Sequence, residues 1–240
     1  METKIALVTG GNSGIGQAIS ARLRAEGYDV HVLGSNPERT HQVANELGAT
    51  GIVADLKNPH ELEKVGRSFL DSGLDVLVHN AGIGQIIPID AYDDVAFAEH
   101  FDVNVRAPLL LTKELLPALE KRRGAICMVS SIITVHGIAA FGLYAATKGA
   151  IEAFVHSAAL ELAPRGIRIN AVAPGAILTP FITKMGLDER QQKEALEYHK
   201  STIPLGRLGV PDDVAEVILA QLKASYVTGS IWSVDGGVDA

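Results

Sequence analysis

The stretch "KIALVTGGNSGIGQA", Lys4 to Ala18, decides the fold. Its first half is an apolar run with no polar alternation, the pattern of a strand covered on both faces. Its second half is a turn with Gly10, Gly14 and Gly16 spaced G-x-x-x-G-x-G, opening into a helix pattern from Gly14. Glycine allows positive φ and close approach of the backbone, and a helix N-terminus favours negative charge, so this turn suits a pyrophosphate. The contact residues it offers are Gly10, Asn12, Ser13, Gly14, Ile15 and Gly16.

Working outward, apolar runs recur at Asp29 to Gly34, Thr50 to Asp55, Leu74 to Asn80, Ala125 to Ser131, Ile167 to Ala173 and Ser230 to Gly236. Between them lie helical patterns at Gly14 to Glu26, Pro37 to Leu47, Pro59 to Ser72, Tyr92 to Arg122, Gly142 to Ala163 and Pro211 to Leu222. Regular β/α alternation over all 240 residues predicts one α/β domain, doubly wound on a parallel sheet. The segment from Thr179 to Pro204 breaks the rhythm. Long, charged in its middle and bounded by Pro180 and Pro204, it reads as a lid or binding loop.

Composition narrows the function classes. A net charge of -7 with only short basic clusters speaks against nucleic acid as a partner. No apolar run reaches the ~18 residues of a membrane span, and "METKIALVTG" enters a strand without a signal-peptide layout, so a cytoplasmic location is expected. The one cysteine, Cys127, lies in the apolar run "AICMVS" and reads as a small buried hydrophobe. None of the eight His residues shows metal-ligand spacing, and no metal is expected.

Two further strand ends agree with the glycine turn. Asp55 can accept from an adenine amino group, with Leu56 beside it, and "NAG" at Asn80, Ala81 and Gly82 lets the chain pass close to a ribose. Ligands of open α/β sheets lie beyond the carboxyl ends of the strands, so these turns converge on a dinucleotide. At the end of the second strand, "VLGSNPERT" places Gly34, Ser35 and Asn36 where an acid would repel a 2′-phosphate. With Arg39 nearby, NADP(H) is favoured over NAD(H), and Ser35, Asn36 and Arg39 are the candidate phosphate contacts.

"FGLYAATKGA" sets Tyr144 one helical turn before Lys148, on the same face. "MVSS" ends the fifth strand at Ser131, and "FDVNVRAP" contains Asn104. Together with the Gly-rich turn, "HNAG" and "PGAILT" (Pro174 to Thr179), this order resembles the short-chain dehydrogenase/reductase family over essentially the whole chain. The resemblance implies a Rossmann fold with a seven-stranded parallel sheet, helices on both faces, and a lid at residues 179–204 between the sixth and seventh strands. It implies a catalytic tetrad of Asn104, Ser131, Tyr144 and Lys148, with Tyr144 as general acid/base in hydride transfer between nicotinamide and a ketone or secondary alcohol. Asn104, through a backbone distortion of its helix and a water, would connect Lys148 to a proton relay.

A free phenol has a pKa near 10, and a nearby ammonium and a positively charged oxidised nicotinamide both favour phenolate, so Lys148 is expected to tune Tyr144; the resemblance implies that it also binds the nicotinamide ribose. The resemblance adds Pro174, Gly175, Ile177 and Thr179 as carboxamide contacts. It also places Ile83, Ile133, His136, Gly137, Phe141, Leu178, Phe181 and Met185 toward substrate. Most are apolar, which suggests a moderately hydrophobic small molecule. His79, where the family usually has Asn, reads as structural.

A 3-oxoacyl-carrier-protein reductase is the alternative within the family, with Lys121, Arg122, Arg123 and Arg165 as a basic patch for an acidic carrier. A dinucleotide-binding regulator without turnover is the alternative from another class, but it has no need of the Ser/Tyr/Lys arrangement. The Ala-rich helix "YAATKGAIEAFVHSAALELA" carries more apolar surface than one sheet face needs, and with the resemblance suggests a homotetramer or a dimer.

Overall fold

The computed structural model describes residues 2–181 and 188–240, apart from the side chain at position 199. Seven strands form one parallel sheet in the order β3-β2-β1-β4-β5-β6-β7. They are β1 (Ile5–Thr9), β2 (Asp29–Gly34), β3 (Thr50–Val53), β4 (Val76–His79), β5 (Ala125–Val129), β6 (Arg168–Pro174) and β7 (Ile231–Val234). The order reverses at β1, which pairs β2 on one side and β4 on the other. A crevice therefore opens beyond the carboxyl ends of β1 and β4, where the glycine turn and the "NAG" turn both emerge.

Successive side chains of a strand point to opposite faces, so an all-apolar strand builds two cores. Leu7 joins Leu62, Leu111, Leu115, Ile151 and Val155 in one. Its neighbours Ala6 and Val8 join Ile19, Leu23, Ala44, Val214 and Ile218 in the other. The first core is covered by α3 (Pro59–Ser68), α5 (Ala107–Arg122) and α6 (Gly142–Leu162), the second by α1 (Gly14–Ala25), α2 (Pro37–Leu47) and α8 (Pro211–Lys223). Local sequence fixes the helix ends. Pro37 starts α2 behind the Asn36 cap, whose side chain accepts from Arg39 N, and Gly48 ends it at φ 61°.

Two stretches differ from expectation. The helix expected over Tyr92 to Arg122 is divided into α4 (Asp94–Phe101), a π-helical turn at Asp102–Arg106, and α5. Asp93 caps α4 by accepting from Ala96 N at 2.7 Å, which fixes the later start. Pro108 has no N–H to give the carbonyl of Asn104 four residues back, and the turn widens so that Ala107 N bonds Asp102 O.

The second is the segment from Thr179 to Pro204, which contains α7 (Glu189–Thr202). Asp188 and Gln191 bond each other's backbone N–H at 2.8 and 3.0 Å, a reciprocal cap that starts this polar helix without an apolar stripe. Residues 182–187, with Met185 among them, lie outside the described residues. The base of the segment is tied by a parallel bridge between Ile177 and Gly209, with Leu178 N bonding Gly209 O at 2.8 Å. Among the described residues no helix is long and apolar enough to cross a membrane.

Candidate active site

The glycine turn is packed too tightly for side chains. A Cβ at Gly16 would lie 2.2 Å from Gly10 O and 2.5 Å from Asn80 Nδ2, and Gly10 itself has φ 62°. Asn80 buckles the two turns together: its Nδ2 donates to Thr9 O at 3.1 Å and Gly10 O at 3.2 Å. Thr9 Oγ1 in turn accepts from the backbone N–H of Asn80 and Ala81 at 3.0 and 3.1 Å. The space above the turn is therefore a cradle of main chain, the surface a phosphate group needs. Ser13 caps α1 without a side-chain bond, and Ile15 packs against the second core. Thr179 lies over this cradle, its Cβ 3.4 Å from where a Cβ of Gly14 would stand.

At the end of β2, Ser35, Asn36 and Arg39 are exposed. Arg39 Nε donates to Asn12 O at 2.9 Å, which folds the guanidinium back onto the glycine turn with further N–H groups to offer. Two expected contacts are engaged elsewhere. The Asn36 side-chain oxygen caps α2, and Asn12 Nδ2 donates to Thr40 Oγ1 at 2.9 Å beneath the turn. Asp55 Oδ1 accepts from Lys57 N at 2.9 Å, and Leu56 packs against the first core. Beyond β6, Gly175 N bonds Val234 O at 3.0 Å, next to Pro174, and Ile177 is buried.

The four tetrad positions meet at this same end of the sheet. The Ser131 hydroxyl accepts from Ile133 N at 3.3 Å and lies near enough to the Tyr144 phenol to favour its ionised form. Lys148 Nζ stands 5.6 Å from the centre of the Tyr144 ring and donates to Val129 O at 2.7 Å. Asn104, in the π-helical turn, clamps Ile83 by donating to its O and accepting from its N, both at 2.8 Å. Its Nδ2 also donates to Thr147 Oγ1 at 3.0 Å, and Thr147 donates to Tyr144 O at 2.7 Å. Gly82 lies between the two arms, where a Cβ would be 3.3 Å from Asn104 Oδ1 and 3.6 Å from Lys148 Nζ.

Burial works against the lowering of the phenol that Lys148 and an oxidised nicotinamide are expected to bring. Burial pushes Tyr144 up to about 12, and the nearby Ser131 hydroxyl pulls the other way. Burial likewise pushes Lys148 down to about 8, opposed by the negative charge of Glu152. In the protein by itself, removal from water is the larger influence on both groups.

Around Tyr144 the surroundings are aromatic. The Phe141 and Phe181 rings each lie 5.9 Å from it, and a Cβ at Gly84 would meet Phe181 at 2.7 Å. A cavity of about 270 Å³ adjoins them, lined by Gly82, Ile83, Gly84, Val103 and Phe181, with Lys57 and Glu99 at opposite charge. Ile133 is buried in the turn after Ser131, while Gly137 and Leu178 are exposed. His136, expected toward substrate, is directed elsewhere: its Nε2 is 2.7 Å from Val238 O and 3.7 Å from Asp239 Oδ1, a link to the C-terminal segment. His79 is buried against Thr112 Oγ1 at 2.9 Å, and burial lowers it to about 3. Among the described residues no group of three or more His, Cys, Asp or Glu could hold a metal ion.

The sequence model described as Enoyl-(Acyl carrier protein) reductase matches residues 10–239. Human "Dehydrogenase/reductase SDR family member 4" is 35% identical over 249 residues, covering 99% of this chain and 88% of that protein. The chain belongs to the short-chain dehydrogenase/reductase family. An uncharacterized oxidoreductase of Bacillus subtilis (strain 168) is 36% identical, with 98% of each chain covered. The crystal structure of a 3-ketoacyl-(acyl-carrier-protein) reductase from Brucella melitensis, complexed with NADH, superposes at a TM-score of 0.91 with 30% identity, covering 100% of this chain and 99% of that one. This short-chain dehydrogenase/reductase is an NAD(P)-dependent oxidoreductase.

The basic residues offered for a carrier protein lie away from the tetrad. Lys121 Nζ donates to Asp71 O at 2.6 Å, Arg122 Nε to Ser72 O at 2.8 Å, and Arg165 pairs with Glu120 at 2.9 Å. These residues, with Arg123, sit where α5 and α6 lead into β5 and β6, at the amino ends of the strands and opposite the crevice. Sequence reasoning also passed over Ser130, Thr147 and Glu152, which hold the tetrad segments together. Only Glu152 left a signal, its spacing of four from Lys148.

Proposed function

We propose that the chain transfers a hydride between a nicotinamide dinucleotide and a moderately hydrophobic ketone or secondary alcohol, with Tyr144 as the acid/base. The observation that carries this reading is the convergence of Tyr144, Lys148 and the Ser131 segment at the end of β5, beside a glycine cradle bare of side chains. When bound, the dinucleotide supplies or takes up the hydride. Tyr144, pushed up to about 12, holds its proton at neutral pH and can give it to an oxygen that gains negative charge. Ser131 donates to the same oxygen and stabilises that charge. Lys148 offers its ammonium to the cofactor ribose and favours phenolate in the oxidative direction. Phe141 and Phe181 give the substrate apolar walls, and the segment 179–204 closes over it as a lid.

NADP(H) is the favoured cofactor, because Arg39 stands at the end of β2 and no acid does. The name of the Brucella melitensis structure supports a 3-oxoacyl-carrier-protein reductase as the second reading, to be separated by comparing an acyl thioester with simple ketones. Leu160, 82% exposed on α6, supports a homotetramer or dimer built across that helix. In Tyr144→Phe, turnover on a ketone and alcohol panel should be lost while titration with NADPH and NADH still reports binding. An unchanged rate would overturn the tetrad.

A further inference from the structure

Glu152 lies on α6 one turn beyond Lys148 and is not one of the tetrad residues. Its Oε1 accepts from Ser130 Oγ at 2.6 Å and stands 3.1 Å from Thr134 Oγ1. Thr134 Oγ1 is also 3.1 Å from the Ser131 carbonyl, so its one proton has two acceptors, of which the carboxylate is the stronger. Ser130 and Thr134 flank Ser131 on either side. One carboxylate thus grips both ends of the segment that presents the Ser131 hydroxyl.

Lys148 grips the residue before that segment, through Val129 O at 2.7 Å. Two side chains one turn apart on α6 therefore hold Val129 and Ser130, consecutive residues at the end of β5. The same helix carries Tyr144, so the separation between the Ser131 and Tyr144 hydroxyls is set through these grips. There is an electrostatic part as well. Lys148 is only 5% exposed, and a buried ammonium is held in its charged form by a nearby negative charge, here that of Glu152.

We propose that Glu152 is a positioning residue for hydride transfer, its carboxylate locking the Ser130–Thr134 segment to α6 so that Ser131 is presented to Tyr144. The proposal rests on Tyr144 and Ser131 acting as described above.

The test compares wild type, Glu152→Gln, Glu152→Ala and Tyr144→Phe of the full chain on the best ketone of the panel, from pH 6 to 10, with unfolding midpoints alongside. Gln keeps an oxygen for Ser130 and Thr134 but no charge. Its kcat should fall about tenfold, its KM should change little, and the alkaline limb of its profile should move down by about one pH unit. Ala loses grip and charge together and should lose more kcat. A Gln variant with wild-type kcat and an unmoved alkaline limb overturns the proposal, as does a loss that is uniform in pH and matches a lost folded fraction. Should Ala fail to fold, the Gln profile decides. If Tyr144→Phe retains turnover, the tetrad reading is what has failed; if it is inactive while Gln is unaffected, only the role of Glu152 falls.

Discussion

Asn104→Ala tests whether the side chain of the π-helical turn holds the site together. The substitution removes two bonds at 2.8 Å to Ile83 and one at 3.0 Å to Thr147, all made by a side chain that is 2% exposed. At about 1 kcal/mol net for each, the sum is roughly 3 kcal/mol. Ile83 is only partly buried, so water can reach one of its freed groups and relieve part of the loss. The expected destabilisation is about 2–4 kcal/mol, a large share of a typical ~5–15 kcal/mol total. Urea unfolding should show a lower midpoint at an unchanged slope. Asn104→Asp sharpens the test, because a carboxylate can accept from Ile83 N but sets a second oxygen against Ile83 O. It should be at least as unstable as Ala. An Ala variant within about 0.5 kcal/mol of wild type, or an Asp variant more stable than Ala, would refute the clamp.

The other predictions concern pH. His79, lowered by burial to about 3 from an ordinary 6.5, contributes stability that is present above pH 6.5 and lost as pH falls toward 3. His79→Asn should therefore show a flatter fall in unfolding midpoint across that window, and an equally steep fall would refute this account. Lys148 is lowered to about 8 from an ordinary 10.5, so on its account wild type gains stability as pH rises from 8 to 10.5. Lys148→Met removes the buried ammonium, and its stability relative to wild type should be most favourable at pH 7 and decline through that range. A difference constant in pH would show that burial of the charge is not what matters.

Much of the architecture was legible because apolar runs without alternation have one good solution, a parallel sheet covered on both faces. The strand ends were read long: Asp55, Asn80 and Ser131 already belong to turns, where side-chain bonds replace the ladder. Helix α7 was missed because its residues carry no apolar period, only good helix formers and an Asp188–Gln191 cap. The distortion at Asn104, which the family resemblance implies, has a local cause in Pro108 and its missing N–H. His136 was misplaced for the opposite reason, and the backbone partners of Lys121 and Arg122 were equally invisible. Their partners lie 102 and 50 residues away in the chain, at Val238 and at Asp71 and Ser72, and no local pattern announces such pairings. Spacing likewise reveals the ammonium beside Tyr144 but not the burial that opposes it.

Cys127 makes the centre of the sheet chemically addressable. Its thiol is fully buried on β5, pushed up to about 12 by burial, and donates to Gln221 Oε1 at 3.4 Å. Only thiolate reacts with disulfide reagents at a useful rate. A chain with one cysteine so placed is modified only when β5 opens, so labelling becomes a clock for that opening. Bound dinucleotide or substrate stabilises the closed form, and the clock should slow with each ligand that binds. Ligands can then be ranked by protection of Cys127, with no turnover required.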